Sequence, residues 1–303
     1  MKISVDTQEL AGEVRRLSKI TAEKGALPIL SNILLRADES GLTLAATDFQ
    51  VGLVATCPAA VEEAGAMTLP AKKLLEMLEQ LPSGQLVITG GAEHARLSLG
   101  SFRSRLPALP AEDFPMPPAP SGAEVALPAA SLRSMIERTS YAISDRSAAH
   151  VLKGALLSVF SSGAFAMVAT DGKRLSIATA SCPAAEPISL IIPTKTLETL
   201  LGHCEGRDVV FQTDGKTLFF RAGTRLLYSQ MLEAQFPAYE RIIPRDTRVH
   251  IALDRNLFEA AMRRCGVVAN EERAISITMQ PGVCHIAAQS HTLGEAEESF
   301  PAE

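Results

Sequence analysis

VATDGKRLSI, Val168 to Ile177, reads as two strands meeting at a turn. The Asp-Gly pair at Asp171 and Gly172 supplies the two positive-φ positions of a type I′ turn, and the flanking residues alternate as a half-buried hairpin requires. Similar wording occurs earlier as AATDFQVGLV, Ala45 to Val54, with Asp48 standing 123 positions before Asp171. A weaker third copy, IAAQSHTLGEA from Ile286 to Ala296, puts Ser290 in the aspartate place 119 positions after Asp171. Self-similarity at a nearly fixed period predicts tandem copies of one structural unit.

Other landmarks keep the same register. KISVDTQELAGEVRRLSKI opens the first unit, with Asp6 and Glu9 as a capping box and Leu10, Val14 and Leu17 on one helix face. At about 100° per residue, Arg15, Arg16 and Lys19 fall on the opposite face. In the second unit Leu132, Ile136 and Thr139 form the buried stripe, with Arg138 in the place of Arg16 but Glu137 in that of Arg15. In the third, Phe258, Met262 and Cys265 form it, with Arg263 and Arg264 matching Arg15 and Arg16.

After the first two hairpins comes a strand, a proline at a helix start and a lysine two residues on: MTLPAKKLLEMLEQLP with Lys72, and LIIPTKTLETLLGHC with Lys195. Each unit then carries two alternating strands and closes on Phe114-Pro115 or Phe236-Pro237. The expected class is α+β, one antiparallel sheet per unit with helices on one face. The Pro-rich segment 107–124 and the segment 241–250 read as linkers, giving units at 1–121, 122–246 and 247–303. By repeat logic the third unit is incomplete, lacking about 65 residues for a second helix and the last strands.

The 303 residues are 47% hydrophobic, and the length accommodates two or three domains. No apolar run approaches the roughly 18 residues that span a bilayer, and the N-terminus lacks the apolar core of a signal peptide. The expected compartment is therefore the cytoplasm. Five scattered cysteines argue against a disulfide framework. His203 with Cys204 and Cys284 with His285 are adjacent pairs, read as buried thiols rather than metal ligands.

The net charge of −5 excludes an all-over basic nucleic-acid binder. Taken over 7–24, 70–81, 128–146, 193–204 and 254–269, however, the expected helices hold 13 Lys+Arg against 10 Asp+Glu, and the remainder 16 against 24. Recurrence of the arginine pair at one angular position points to a basic helix surface, against the bland alternative of ordinary solvated faces.

Catalytic patterns are missing. Gly172-Lys173 resembles the end of a phosphate loop, yet Met167 and Arg174 stand where that loop needs Gly and Ser or Thr. No GxSxG, HExxH or GxGxxG occurs. Asp48 and Asp171 occupy equivalent hairpin positions, which favours turn chemistry over a paired-carboxylate site.

The ordered set MKISV, LPILSNILL, TD, LPAKKL, SRL, LPAEDFP, LPAASL, VATDGKRL, IIPTK and FPAYERIIP resembles the bacterial DNA sliding clamp, the β subunit of DNA polymerase III, from Met1 to about Glu303. The resemblance implies three tandem repeats of the clamp fold with helices on the inner face and antiparallel sheets outside. It implies a head-to-tail homodimeric ring that encircles duplex DNA without reading sequence and tethers the replicative polymerase. The clamp loader and other clamp-binding proteins are further partners, with no enzyme activity, cofactor, metal or membrane, and a nucleoid-associated cytoplasmic location.

Carried over by position, the family's DNA-facing residues fall on Lys24, Lys72, Arg146, Lys195 and Arg241. Its partner-peptide groove falls on Leu152, Thr170, Gly172, Lys173, Arg174, Leu175, Pro237 and Ile242. Its subunit contact falls on Arg103, Arg105, Leu106 and Leu109, facing Val267 and Val268. The rival readings are a non-encircling protein-interaction hub and an enzyme with a sheet-borne site.

Overall fold

The computed structural model describes residues 1–22, 27–91, 93–144, 150–183, 186–204, 208–244, 246, 249–269 and 274–303. The first repeat runs β1 (Lys2–Asp6), α1 (Thr7–Ser18), β2 (Asn32–Asp38), β3 (Gly41–Thr47), β4 (Val51–Cys57), β5 (Ala59–Glu63), β6 (Gly65–Pro70), α2 (Ala71–Gln80), β7 (Gln85–Gly90), β8 (His94–Leu99) and β9 (Phe102–Pro107). The second runs β10 (Val125–Leu127), α3 (Ala129–Thr139), β11 (Gly154–Val159), β12 (Ala164–Thr170), β13 (Leu175–Ser181), β14 (Ile188–Pro193), α4 (Thr194–Leu201), β15 (Val209–Thr213), β16 (Thr217–Ala222) and β17 (Arg225–Gln230). The third holds α5 (Arg255–Gly266), β18 (Ser276–Gln280), β19 (Val283–Ser290) and β20 (Gly294–Pro301).

The expectation of one sheet per unit is corrected. Each of the first two repeats contributes to two antiparallel sheets, and one of these is common property. Strands β5-β1-β7-β8-β9 form a five-stranded sheet, and β13-β12-β11-β14 a four-stranded one. An eight-stranded sheet, β10-β15-β16-β17-β4-β3-β2-β6, crosses from the second repeat to the first. The stretches expected to hold two strands hold three each, and the third strand of the second repeat, β17, closes the join by pairing with β4 from Arg225↔Ala55 to Ser229↔Val51. Pairing removes an open edge from each repeat and so removes a site of non-specific strand addition.

One residue choice makes that join possible. Tyr228 pairs with Gly52, and a Cβ at Gly52 would stand 2.1 Å from the tyrosine ring. The ring covers the bare glycine backbone, and Tyr228 is 8% exposed.

The opening helix is capped by Asp6, whose carboxylate accepts from the N–H groups of Gln8 and Glu9. Leu10, Val14 and Leu17 are fully buried, each side chain worth about 1.5–3 kcal/mol. The last helix repeats the device, with Asp254 accepting from Asn256 and Leu257. Helix α3 starts instead at Pro128 with no side-chain cap. All helices are shorter than expected; α1 ends at Ser18 because the N–H groups of Lys19 and Ile20 turn to i−3 carbonyls.

Turn geometry also differs from expectation. The 171–174 loop is four residues long, closed by the Thr170↔Leu175 pair, and of Asp171 and Gly172 only the glycine has positive φ, at 87°. A type I′ turn would need both. The aspartate instead accepts from the N–H groups of Lys173 and Arg174, while the Thr170 hydroxyl accepts from Gly172 N–H and donates to Arg174 O. Thr47 and Asp48 build the same turn, and so do Thr213 and Asp214, a copy that the sequence TDGK at Thr213 to Lys216 displays. In the third repeat Ser290 accepts from Thr292 and Leu293 N–H groups, so it stands in the aspartate place as expected.

Residues Met1–Pro237 form one compact unit and Ala238–Glu303 another. One large hydrophobic core spans both repeats of the first, beside a smaller cluster of Ile29, Leu30, Leu34, Ala45, Ala111 and Phe114. The second has its own, in which Ala261 and Cys265 of α5 meet Cys284, Ile286 and Ala288 of β19 and Phe300 of β20.

Candidate nucleic-acid and peptide interfaces

The polar faces of the helices carry the expected basic residues, and seven of them, Arg15, Arg16, Lys73, Arg133, Lys195, Arg263 and Arg264, are paired with carboxylates. Across the five helices as observed there are ten Lys+Arg and seven Asp+Glu. Arg15 pairs with Glu79 at 3.0 Å, Lys73 with Glu76 at 2.7 Å, Arg133 with Glu137 at 3.0 Å and Arg263 with Glu259 at 2.7 Å. Arg264 grips Glu298 of β20 through two nitrogens. Arg16 bonds Glu13, whose carboxylate also takes a two-pronged bond from Arg225 of β17 and so ties the first helix to the second repeat. Such a surface attracts a polyanion over distance while holding few dedicated phosphate ligands.

The expected DNA-facing residues are distributed unevenly. Lys72 is exposed on the first turn of α2, and Arg241 is exposed in a short 3₁₀ turn, Tyr239–Arg241, of the second compact unit. Lys195 begins α4, but its Nζ lies 2.5 Å from Asp48 Oδ2 and 3.4 Å from Ile20 O. Lys24 and Arg146 lie outside the described residues.

The hairpin turn gathers most of the expected groove residues of the first unit. Thr170 and Leu175 face each other across its base, Thr170 buried and Leu175 half-buried, with Gly172, Lys173 and Arg174 exposed at the tip. Leu152 is half-buried, its carbonyl accepting from Ser144 N–H, and Pro237 is exposed at the end of the unit. Ile242, in the other unit, is 67% exposed.

Sequence reasoning missed Tyr141, whose ring lies 5.3 Å from the Arg174 guanidinium. Arg174 Nε also donates to Asp171 Oδ2 at 3.0 Å, so an aromatic face and a carboxylate fix the arginine. The N–H groups of Lys173 and Arg174, and then the Arg174 side chain, hold the Asp171 carboxyl below its ordinary pKa.

The residues expected at the subunit contact fall on an edge strand and its continuation, Arg103 to Leu109, and at the end of helix α5, Val267 and Val268, rather than on two strand edges. Strand β9 is the last of its sheet, with Arg103 and Arg105 exposed; Arg105 lies 3.0 Å from His94 Nδ1. Leu106 is 7% exposed and belongs to the core, so only its backbone faces the edge. Leu109 is 36% exposed and bridges Thr68. In the second unit Val267 is 77% exposed, whereas Val268 packs on the local core. Strand β20 is likewise last in its sheet, and its exposed positions include Glu295 and Glu297.

The cysteine and histidine pairs are structural. Burial pushes the thiols of Cys57 and Cys204 up to about 11, so neither is a thiolate at neutral pH. His203 is buried with Nδ1 2.6 Å from Thr199 O, and burial holds it neutral. On β19, Cys284 faces the core and His285 faces out, the alternation expected of strand neighbours. Among the described residues no His, Cys, Asp and Glu side chains are grouped as a metal site requires, and no helix is long and apolar enough to cross a membrane.

Comparison with known proteins follows both repeats. The family model for the DNA polymerase III beta subunit N-terminal domain matches residues 1–118, and that for its central domain residues 126–238. The beta sliding clamp of Vibrio cholerae is 30% identical over 98% of this chain and 83% of its own length, and that of Pseudomonas aeruginosa 30% identical over 100% and 84%. The crystal structure of the Pseudomonas aeruginosa polymerase III subunit beta superposes with a TM-score of 0.94 at 28% identity, covering 100% of this chain and 84% of that one. A further structure of that clamp, bound to griselimycin, superposes at 0.93. The chain belongs to the DNA polymerase III beta subunit family, the bacterial sliding clamps.

Proposed function

We propose that this chain acts as a DNA polymerase processivity clamp through a basic helix surface, a peptide groove at the 171–174 turn and head-to-tail pairing of two copies. Its function is that of a sliding clamp: an accessory of a DNA-directed DNA polymerase, with DNA and polymerase as partners and no catalysis of its own. The observation that carries the physical reading is the compensated basic helix face. A ring that slides must attract phosphates without fixing any register, so direct phosphate contacts have to be weak and sensitive to salt. Arginines already engaged by carboxylates meet that requirement.

The assignments of Lys24, Lys72, Arg146, Lys195 and Arg241 to DNA, of Leu152, Thr170 to Leu175, Pro237 and Ile242 to partner peptides, and of three repeats at 1–121, 122–246 and 247–303 belong to this proposal. So does a nucleoid-associated cytoplasmic location. The hairpin offers a half-buried leucine beside a rigid polar rim, the chemistry that suits an extended peptide with apolar anchors. Self-association is supported by complementary edges: arginines on the exposed face of β9 and glutamates on that of β20. Such a heterologous contact, repeated twice, closes a two-fold ring.

The test compares retention on circular and linearised DNA. An encircling ring stays on the circle and slips from free ends. Equal retention on both forms, with a monomeric native mass, would establish the interaction-hub reading instead.

A further inference from the structure

A cavity of about 1060 Å³ in the first compact unit lies where the two repeats join, and no residue of the 171–174 turn lines it. Two of the Thr-Asp turns stand side by side at its wall. Gln50 and Val51 come from the first repeat's turn, Lys216 and Thr217 from the turn between β15 and β16, and the end of β17 runs between them. Gln230 N–H donates to Gln50 O and Met231 N–H to Lys216 O, so the join itself fixes this geometry. The start of α4 supplies Lys195, and Lys153 completes the cationic lining. Lys195 is engaged by Asp48, but the ammonium groups of Lys153 and Lys216 have no carboxylate partner among the described residues. Glu233 is the one acidic side chain that lines the space among the described residues.

The turn bearing Gln50 and Val51 has an unusual tip. Its sister turns place glycine at the left-handed position, Gly172 at φ 87° and Gly215 at φ 86°, whereas the first places Phe49 there at φ 74°. A bulky side chain in that conformation is strained, and Phe49, 51% exposed, recovers little of the cost by packing. The strained residue carries an exposed aromatic ring and is the chain neighbour of Gln50, which lines the cationic cavity. An exposed aromatic ring near lysines that have no carboxylate partner among the described residues is the chemistry that holds an unstacked base and its phosphates.

We propose that this cavity binds single-stranded DNA, with a base stacked on Phe49 and the adjoining phosphates taken by Lys216 and Lys153. The site adjoins the first turn of α4 through Thr194 and Lys195, and it does not require ring closure.

The full chain would be titrated with a fluorescein-labelled dT10 strand and, in parallel, with a blunt 10-base-pair duplex, following anisotropy. Phe49→Gly relieves the backbone strain, so the variant folds with an unchanged or higher melting temperature. It is expected to weaken dT10 binding about tenfold and to leave duplex binding unchanged. Lys216→Gln is expected to reduce the slope of log affinity against log salt by about 0.7 for the single strand. Binding of dT10 that survives Phe49→Gly, or that falls equally for strand and duplex, overturns the proposal. Retention of Phe49→Gly on circular DNA reports separately on the clamp function, because encirclement does not involve this residue.

Discussion

Lys195, at the start of α4 in the second repeat, reaches back to the first repeat, where its Nζ lies 2.5 Å from Asp48 Oδ2. The same carboxylate uses its other oxygen, Oδ1, to accept from Gln50 and Val51 N–H groups and so shapes the first turn. One aspartate therefore both builds a turn and holds a lysine that the family resemblance assigns to DNA.

Replacing that aspartate separates its two roles. Asp48→Asn keeps an acceptor for the turn but gives up the charge that holds Lys195. The freed ammonium adds about one phosphate contact, so the log–log salt slope of DNA retention steepens by about 0.9. The pair is partly exposed, and losing it lowers Tm by only about 2 °C. An unchanged salt slope in Asp48→Asn would show that Lys195 does not face DNA.

Gly52→Ala tests the join between repeats. A methyl group there meets the Tyr228 ring at 2.1 Å with strand backbone on both sides, and overpacking of this kind costs about 1–3 kcal/mol. Thermal unfolding should show the loss, and Gly52→Ala combined with Tyr228→Ala should recover part of it because the obstructing ring is gone. If the single variant matches the parent in Tm, the ring does not cover Gly52 in solution.

The repeats were legible because local chemistry recurs: Asp caps on the opening helices of the first and third, an apolar stripe on all three opening helices, and Thr-Asp turns with a proline before the second helix in the first two. Leu10, Val14 and Leu17 face the core as their spacing predicts, and Cys284 and His285 point apart as strand neighbours should. Long-range pairing was not legible. Nothing near Val51 or Arg225 says that β4 and β17 will join, since either strand pattern is satisfied by any antiparallel neighbour. The Lys195–Asp48 and Arg225–Glu13 contacts, 147 and 212 positions apart, leave no local signature either. Leu175 and Thr170 are assigned to a groove by the family resemblance rather than by the hairpin pattern, and the Tyr141–Arg174 contact, between residues 33 positions apart, has no local signature.

That contact predicts a graded effect on peptide docking. Tyr141→Phe preserves a ring under Arg174, whereas Tyr141→Ala leaves only the Asp171 tether. Loss of a partly exposed cation–π contact weakens binding of a clamp-binding peptide about threefold, and Leu175→Ala, which removes an apolar anchor contact, weakens it more. Fluorescence titration of a labelled peptide ranks the three variants; equal affinity in Tyr141→Ala and the parent would remove Tyr141 from the site.

The turn should also respond to acid in a defined sense. The Asp171 pKa is depressed by Lys173 and Arg174 N–H groups and by the Arg174 side chain, so the stabilisation it lends is complete above the ordinary value of 3.8. It disappears as pH falls through the lower folded-state pKa. An NMR titration of the Asp171 carboxyl should therefore give a midpoint below 3.8 in the parent and a higher one in Arg174→Ala. A parent midpoint at or above the ordinary value would mean the turn is open in solution.

Strand edges carry the last expectation. Arg103 and Arg105 share the exposed face of β9, and Glu295 and Glu297 that of β20. In a head-to-tail pair each β9 meets the other copy's β20, so Arg103→Glu with Arg105→Glu places like charges at both contacts. So does Glu295→Arg with Glu297→Arg. Facing like charges cost several kcal/mol, and each double variant should dissociate at least about a hundredfold more readily than the parent. Mixing the two variants restores the match twice over. The reversed β9 of one copy meets the reversed β20 of the other, and the two unaltered edges meet each other. Native mass spectrometry should therefore find monomers in either variant alone and a heterodimer, without homodimers, in the mixture. A mixture that stays monomeric would rule out β9 against β20 as the contact, since it presents opposite charges at both of those contacts and so must restore a pairing made by these two edges.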